Sequence, residues 1–202
     1  MIHSARILQA ARVGISLGFM QVRNTTVRWG SVAQFLHWLI VALIIVQVIL
    51  ALSAAQLHGM PKLAMLARHK SVGITILMLA VVRLLWRLVN PTPPLPLTLK
   101  PYERFLANFT HAALYFLIFT MPLTGWIMTS ARGFPVSWFN LFQLPDLVAK
   151  NRPLYEAMVE THEALAWTLG AVALLHLLGA LKHHFVLKDT VLRRMLPFSK
   201  IP

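Results

Sequence analysis

The chain has 202 residues, is 57% hydrophobic and only 12% charged, and has a mean hydropathy of +0.66. Those values exclude an ordinary soluble domain, and apolar spans with short loops leave no room for a separate soluble catalytic domain. Without cysteine there is no disulfide, no Cys-ligated iron–sulfur cluster, and no thiolate-ligated or covalently attached haem. The formal charge of +13 sits beside apolar spans, where it meets anionic lipid, and is not interleaved with aromatics as in a nucleic-acid groove.

Residues 1–28 hold Arg6, Arg12, Arg23 and Arg28 and no acid. They read as a cytoplasmic tail or as sequence upstream of a start at Met20. A surface helix or a transit-like segment is the other reading, and no cleaved signal is expected. The remaining residues, 29–202, form one four-helix domain. Helix one is expected from about Val32 to Ala55, with His37 one turn inside its start. A short loop with His58, Pro61, Lys62, Arg68 and Lys70 leads to helix two, about His69 to Val89. Asn90-Pro-Thr-Pro-Pro-Leu-Pro then forms an extended connector.

Helix three covers about Arg104 to Thr129, with His111 near its start and Pro122 set to kink it. The loop 130–160 holds Trp138, Phe139 and Phe142, which suit an interfacial half-turn or short helix. Helix four spans 161–186, uncharged from Ala164 to Leu181, and a basic tail closes the chain. Most of the 19 lysines and arginines fall in the N-terminal segment, the 2–3 connection and the tail. Both termini are therefore expected in the cytoplasm of a multi-pass inner-membrane protein.

Helix four carries His162 at its start and His176 well inside, fourteen residues apart. That is four turns less about 40°, so they share one face about 21 Å apart along the axis. An imidazole in hydrocarbon is costly and needs a partner. Depth supplies one for each: His37 matches His176, and His69 matches His162 at the opposite surface. Two stacked bis-histidine sites suit six-coordinate haem b, which serves electron transfer because no axial position is vacant. Zinc takes the same ligand type, but no carboxylate or thiolate lies beside either pair.

A lone membrane histidine is as often an interhelical hydrogen-bonder as a ligand. His111 fits either use, whereas His3, His58 and His184 belong to loops or headgroup surfaces. Arg68, Lys70, Arg83 and Arg87 have two equal readings, headgroup contact by snorkelling or pairing with haem propionates.

Several stretches resemble the bacterial cytochrome b561 family of four-helix dihaem membrane proteins. They are Phe35-Leu36-His37-Trp38, His69-Lys70-Ser71-Val72-Gly73-Ile74, and Val82 to Leu88 leading into Pro91-Thr92-Pro93-Pro94. His111, Pro122 with Gly125, Arg132-Gly133, Thr161-His162-Glu163, His176, His183-His184-Phe185 and Lys188-Asp189-Thr190 continue the likeness. It covers about Val27 to Pro197. The resemblance implies that the four histidines ligate two haems b, with no catalytic residue beyond the haems. It further implies that electrons come from periplasmic superoxide and reduce ubiquinone, with His183 hydrogen-bonded to the quinone. An electron relay or membrane anchor serving a periplasmic protein partner is the alternative, and a non-haem transporter bundle is a third reading.

Overall fold

The computed structural model describes residues 21–96, 99–197 and 199; the expectation for residues 1–20 lies outside these. Four long helices dominate: α1 (Ser31–Gln56), α2 (Gly59–Leu88), α3 (Pro101–Arg132) and α4 (Arg152–Phe185). A two-stranded hairpin, β1 (Val136–Trp138) and β2 (Phe142–Leu144), joins α3 to α4, and a short α5 (Val191–Met195) ends the fold. Each long helix is long and apolar enough to cross a membrane. Large apolar side chains such as Phe35, Leu52, Phe116 and Trp167 face outward, while many of the buried residues are small: Ala33, Ala54, Ser71, Gly73, Ala80, Ser130 and Ala131. This inverts the pattern of a soluble bundle and matches one whose solvent is lipid.

Two helices begin earlier than their charge-free stretches. α2 starts at Gly59, ten residues before His69, so Pro61, Lys62, Arg68 and Lys70 are helical and not in a loop. Lys62, Met65, Leu66 and His69 are the half-buried positions of that first segment, an i, i+3, i+4, i+7 stripe that faces the bundle. Gly59 opens the helix at φ 61, in the left-handed region that glycine enters without a Cβ clash. α4 starts at Arg152, where the Asn151 side chain accepts the Leu154 N–H at 3.0 Å and Pro153 occupies the first turn. His69 and His162 are therefore not at helix starts. Each has ten residues of its own helix beyond it, about 15 Å.

The 3–4 connection is a hairpin and not an interfacial half-turn or short helix. Val136 pairs with Leu144, Ser137 with Gln143 and Trp138 with Phe142. The tip turns through Phe139 at φ 47 and Asn140 at φ 59, closed by the Leu141 N–H on the Trp138 carbonyl. Its anchor is α2: the Ser71 hydroxyl accepts the Phe139 N–H at 3.0 Å, and the Trp138 indole donates to Thr75 Oγ1 at 3.1 Å.

At the other end, the chain reverses after α4 with Lys188 at φ 52 and lays α5 against the start of α1. The last carbonyls of α5, which have no intrahelical donor, accept from α1. Gln34 Nε2 reaches the Arg194 carbonyl at 3.0 Å and Trp38 Nε1 the Met195 carbonyl at 2.9 Å. Asn24 reaches Pro91 and Arg194 reaches Pro94, which pins the proline-rich connector to the same end. Gly30 sits so close to the backbone of Val22 and Arg23 that a Cβ would lie 2.3 Å from a carbonyl oxygen, so no other residue fits there.

Candidate functional site

Close backbone packing joins α1 to α2 and α3 to α4, with a lesser contact of α2 on α3. Histidine rings bridge the helix pairs that lack such packing. His37 of α1 faces His176 of α4 with ring centroids 6.4 Å apart, and His69 of α2 faces His162 of α4 at 6.3 Å. Both pairings are those expected from depth. His111 of α3 also meets His176, at 5.1 Å between centroids.

These spacings discriminate. A ring nitrogen lies about 1.1 Å from its centroid, and a metal–imidazole bond is about 2.0–2.1 Å, so two rings facing one metal stand roughly 6.3 Å apart. The His37–His176 and His69–His162 pairs meet that value, and the His111–His176 pair is too close for it. Among the described residues no group of three or more His, Cys, Asp or Glu could hold a metal ion. Among the described residues, the three or four protein ligands of a structural or catalytic zinc site are not brought together. A two-imidazole donor set suits a metal whose other ligands come with it, as a porphyrin supplies.

The surroundings of His162 fit a ligand role. Thr124 Oγ1 donates to the Met121 carbonyl at 2.8 Å and stands 3.0 Å from His162 Nδ1. With its one proton committed, the hydroxyl accepts the Nδ1–H, which leaves Nε2 with the free lone pair. A Cβ on Gly125 would lie 3.2 Å from His162 Cε1, so glycine gives the ring its place. A Cβ at Gly170 or Gly179, six residues before and three after His176, would meet nothing within 4 Å beyond its own stretch of helix backbone. His69 Nδ1 is buried with no hydrogen bond among the described residues. A cleft of about 230 Å³ lined by Ala51, Ala54, Ala55, Lys62, Leu66 and His69 opens beside it.

The cationic residues divide by end. Arg83 donates to the Ala33 carbonyl at 3.0 Å, and the Arg87 guanidinium lies 5.6 Å from the Tyr115 ring and 5.9 Å from Trp29. Both thus turn onto protein groups beside the His37 pair. Arg68 is exposed and Lys70 half-buried, flanking His69, while Arg132 lies over Phe134 and Tyr155. His183, in the last turn of α4, is held by Asp189 at 2.5 Å. His184 is helical, not in a loop, with Nδ1 buried and without a partner among the described residues.

Sequence reasoning left Thr124 out and named Asp189 only within a stretch of family likeness, with no role. Thr124 left no signal beyond standing next to Gly125. Asp189 left one: it is the only acid after Glu163, set in a basic tail.

Residues 28–198 match the sequence profile of prokaryotic cytochrome b561. Cytochrome b561 homolog 2 of Escherichia coli K12 is 35% identical over 185 residues, covering 88% of this chain and 95% of that protein. A protein of Yersinia pestis named probable superoxide oxidase CybB is 35% identical over 168 residues, 80% of this chain and 92% of its own length. Cytochrome b561 homolog 1 of E. coli K12 is 29% identical over 184 residues, covering 86% and 99%. Four apolar helices bridged by facing histidines, together with a match along nearly the whole chain, place this protein in the prokaryotic cytochrome b561 family of haem-b-binding, electron-transferring membrane proteins.

Proposed function

We propose that this protein oxidises superoxide at the periplasmic face of the inner membrane and reduces ubiquinone, with both termini in the cytoplasm. His37 and His176 hold one haem b and His69 and His162 a second. The observation that carries the reading is the pair of metal-length His–His spacings, 6.4 and 6.3 Å, on one face of α4. The haems, when bound, supply reversible one-electron storage near each membrane surface. Superoxide as the donor rests on the likeness to the Yersinia pestis protein named for that activity.

The chemistry asks little of the polypeptide at the donor side. Superoxide gives up one electron and leaves as dioxygen, with no bond to break and no proton to remove. Two superoxide anions, one quinone and two protons balance to two dioxygen molecules and one quinol. The chain must admit a small anion near His69, and Lys62 lines the cleft that opens there. Arg68 and Lys70 add positive charge, opposed by Glu160 and Glu163 on α4. Anion capture at such a site is fast and weakens as salt screens the field.

One observation favours a second reading, a relay that serves a periplasmic protein. The hairpin tip presents Phe139, Leu141 and Phe142, with Leu141 73% exposed, and apolar tips of this kind dock partners. Stopped-flow mixing of the purified haem-loaded protein with superoxide separates the two. Direct oxidation predicts rapid haem reduction that slows with added salt, followed by reoxidation when ubiquinone is present. Haems that stay oxidised under superoxide overturn it and put the relay first.

A further inference from the structure

We propose that Asp189 is the positioning residue of the quinone site, holding His183 so that the imidazole delivers one of the two protons quinone reduction consumes. This rests on the reading of ubiquinone as the electron acceptor at His183. The side chains of His183 and Asp189 are only 14% and 21% exposed, and His183 Nδ1 lies 2.5 Å from Asp189 Oδ2. The carboxylate uses both oxygens, Oδ2 on the ring and Oδ1 on the backbone. Its Oδ1 accepts the Val191 N–H at 2.9 Å, and the Asp189 N–H donates to the His183 carbonyl at 3.1 Å. Accepting the Val191 N–H needs only the first oxygen, so the second is free to fix the ring.

A carboxylate that accepts Nδ1–H sets the tautomer and fixes the orientation of the ring. Nε2–H is then available only when the imidazole carries its second proton. That form donates to a quinone carbonyl and is the form able to protonate it. As the carbonyl oxygen gains charge from the protein's own electron transfer, the Nε2–H bond breaks and an O–H bond forms. The imidazole is left neutral, still tied to Asp189 through Nδ1–H, and is reloaded from the aqueous side. The second proton comes from water. The exposed Phe185, Val186 and Leu187 put the pair at an apolar edge that a lipid-soluble quinone can reach. His183 also continues the face of His176 one heptad on, about 10.5 Å along α4.

The test uses the haem-loaded protein and its Asp189→Asn, Asp189→Glu and His183→Ala variants. Asn can keep the bond from the Val191 N–H while removing the charge. Haem reoxidation by ubiquinone is expected to fall about tenfold to a hundredfold in Asp189→Asn, with the haem spectra and the KM for quinone held. The solvent deuterium isotope effect on reoxidation should grow, and Glu should restore part of the rate. Independently of turnover, ¹⁵N spectra of labelled histidine should show His183 Nδ1 protonated in the parent protein and a mixed tautomer in Asp189→Asn. Parent-like rate, isotope effect and tautomer in Asp189→Asn overturn the role of Asp189. Failure of ubiquinone to reoxidise the parent protein defeats the acceptor reading itself. Slow reoxidation in His183→Ala beside a normal Asp189→Asn removes Asp189 alone.

Discussion

Thr124→Val removes the hydroxyl that meets His162 Nδ1 while leaving the shape of the helix nearly unchanged. In the parent the hydroxyl gives its proton to Met121 and accepts the His162 Nδ1–H at 3.0 Å. Valine keeps the volume and strands that ring donor in a half-buried place. Leaving a buried donor unpaired costs about 1–3 kcal/mol. At about 1.4 kcal/mol per tenfold, haem affinity at the His69–His162 site should fall roughly fivefold to a hundredfold. Loss of second-shell partners at other metal sites falls in the same range, about 10–100-fold. The haem at this site should also become easier to reduce, because an imidazole that no longer donates from Nδ1 is a weaker base and stabilises ferric iron less. Titration of apoprotein with haemin, followed by a redox titration, reads both effects. The His37–His176 site, about 21 Å away along α4, is the internal control. Unchanged affinity and potential, or loss at the control site instead, would refute the assignment of Thr124.

At the other pair, His37→Ala should abolish one haem and His111→Ala should retain two, counted by pyridine haemochrome, because only the His37 ring stands at metal distance from His176. The reverse result would exchange the ligands. Ser71→Ala should free the hairpin by removing the acceptor of the Phe139 N–H, at a cost of about 1–2 kcal/mol. Limited proteolysis should then cut the 139–141 tip faster than in the parent, with both haem bands kept.

The apolar spans and the pairing of histidines could be read from the sequence because each is a spacing rule. His162 and His176 share a face by arithmetic, and depth named their partners. The helix ends could not, because charge marks where lipid stops and not where hydrogen bonding stops. Lys62 and Arg68 lie on α2, and Glu156, Glu160 and Glu163 lie on α4, all beyond the apolar stretch and all helical. The hairpin hid for a different reason. Its strands are three residues each, and its tip puts Phe139 at φ 47, where side chains are rare and a glycine signal would be expected. It is held by Ser71 and Thr75, 63 or more positions away in sequence. Asp189 reaches His183 only because Lys188 takes a left-handed turn, and no periodicity announces that.

The architecture explains why one helix supplies a histidine to each facing pair. Helices packed directly lie about 8–10 Å apart between axes, too close for two imidazoles end to end with a metal between them. α3 packs directly against α4, and its histidine meets His176 at 5.1 Å. α1 and α2 pack on each other and not closely on α4, and their histidines meet His176 and His162 at 6.4 and 6.3 Å. The facing histidine pairs are thus formed across the interface between two helical hairpins, where side chains and not backbones set the separation. His111 belongs to the packed side of that interface. Its contact with His176 is ring against ring at 5.1 Å, while the His37 ring stands at the spacing that a metal between two imidazoles requires.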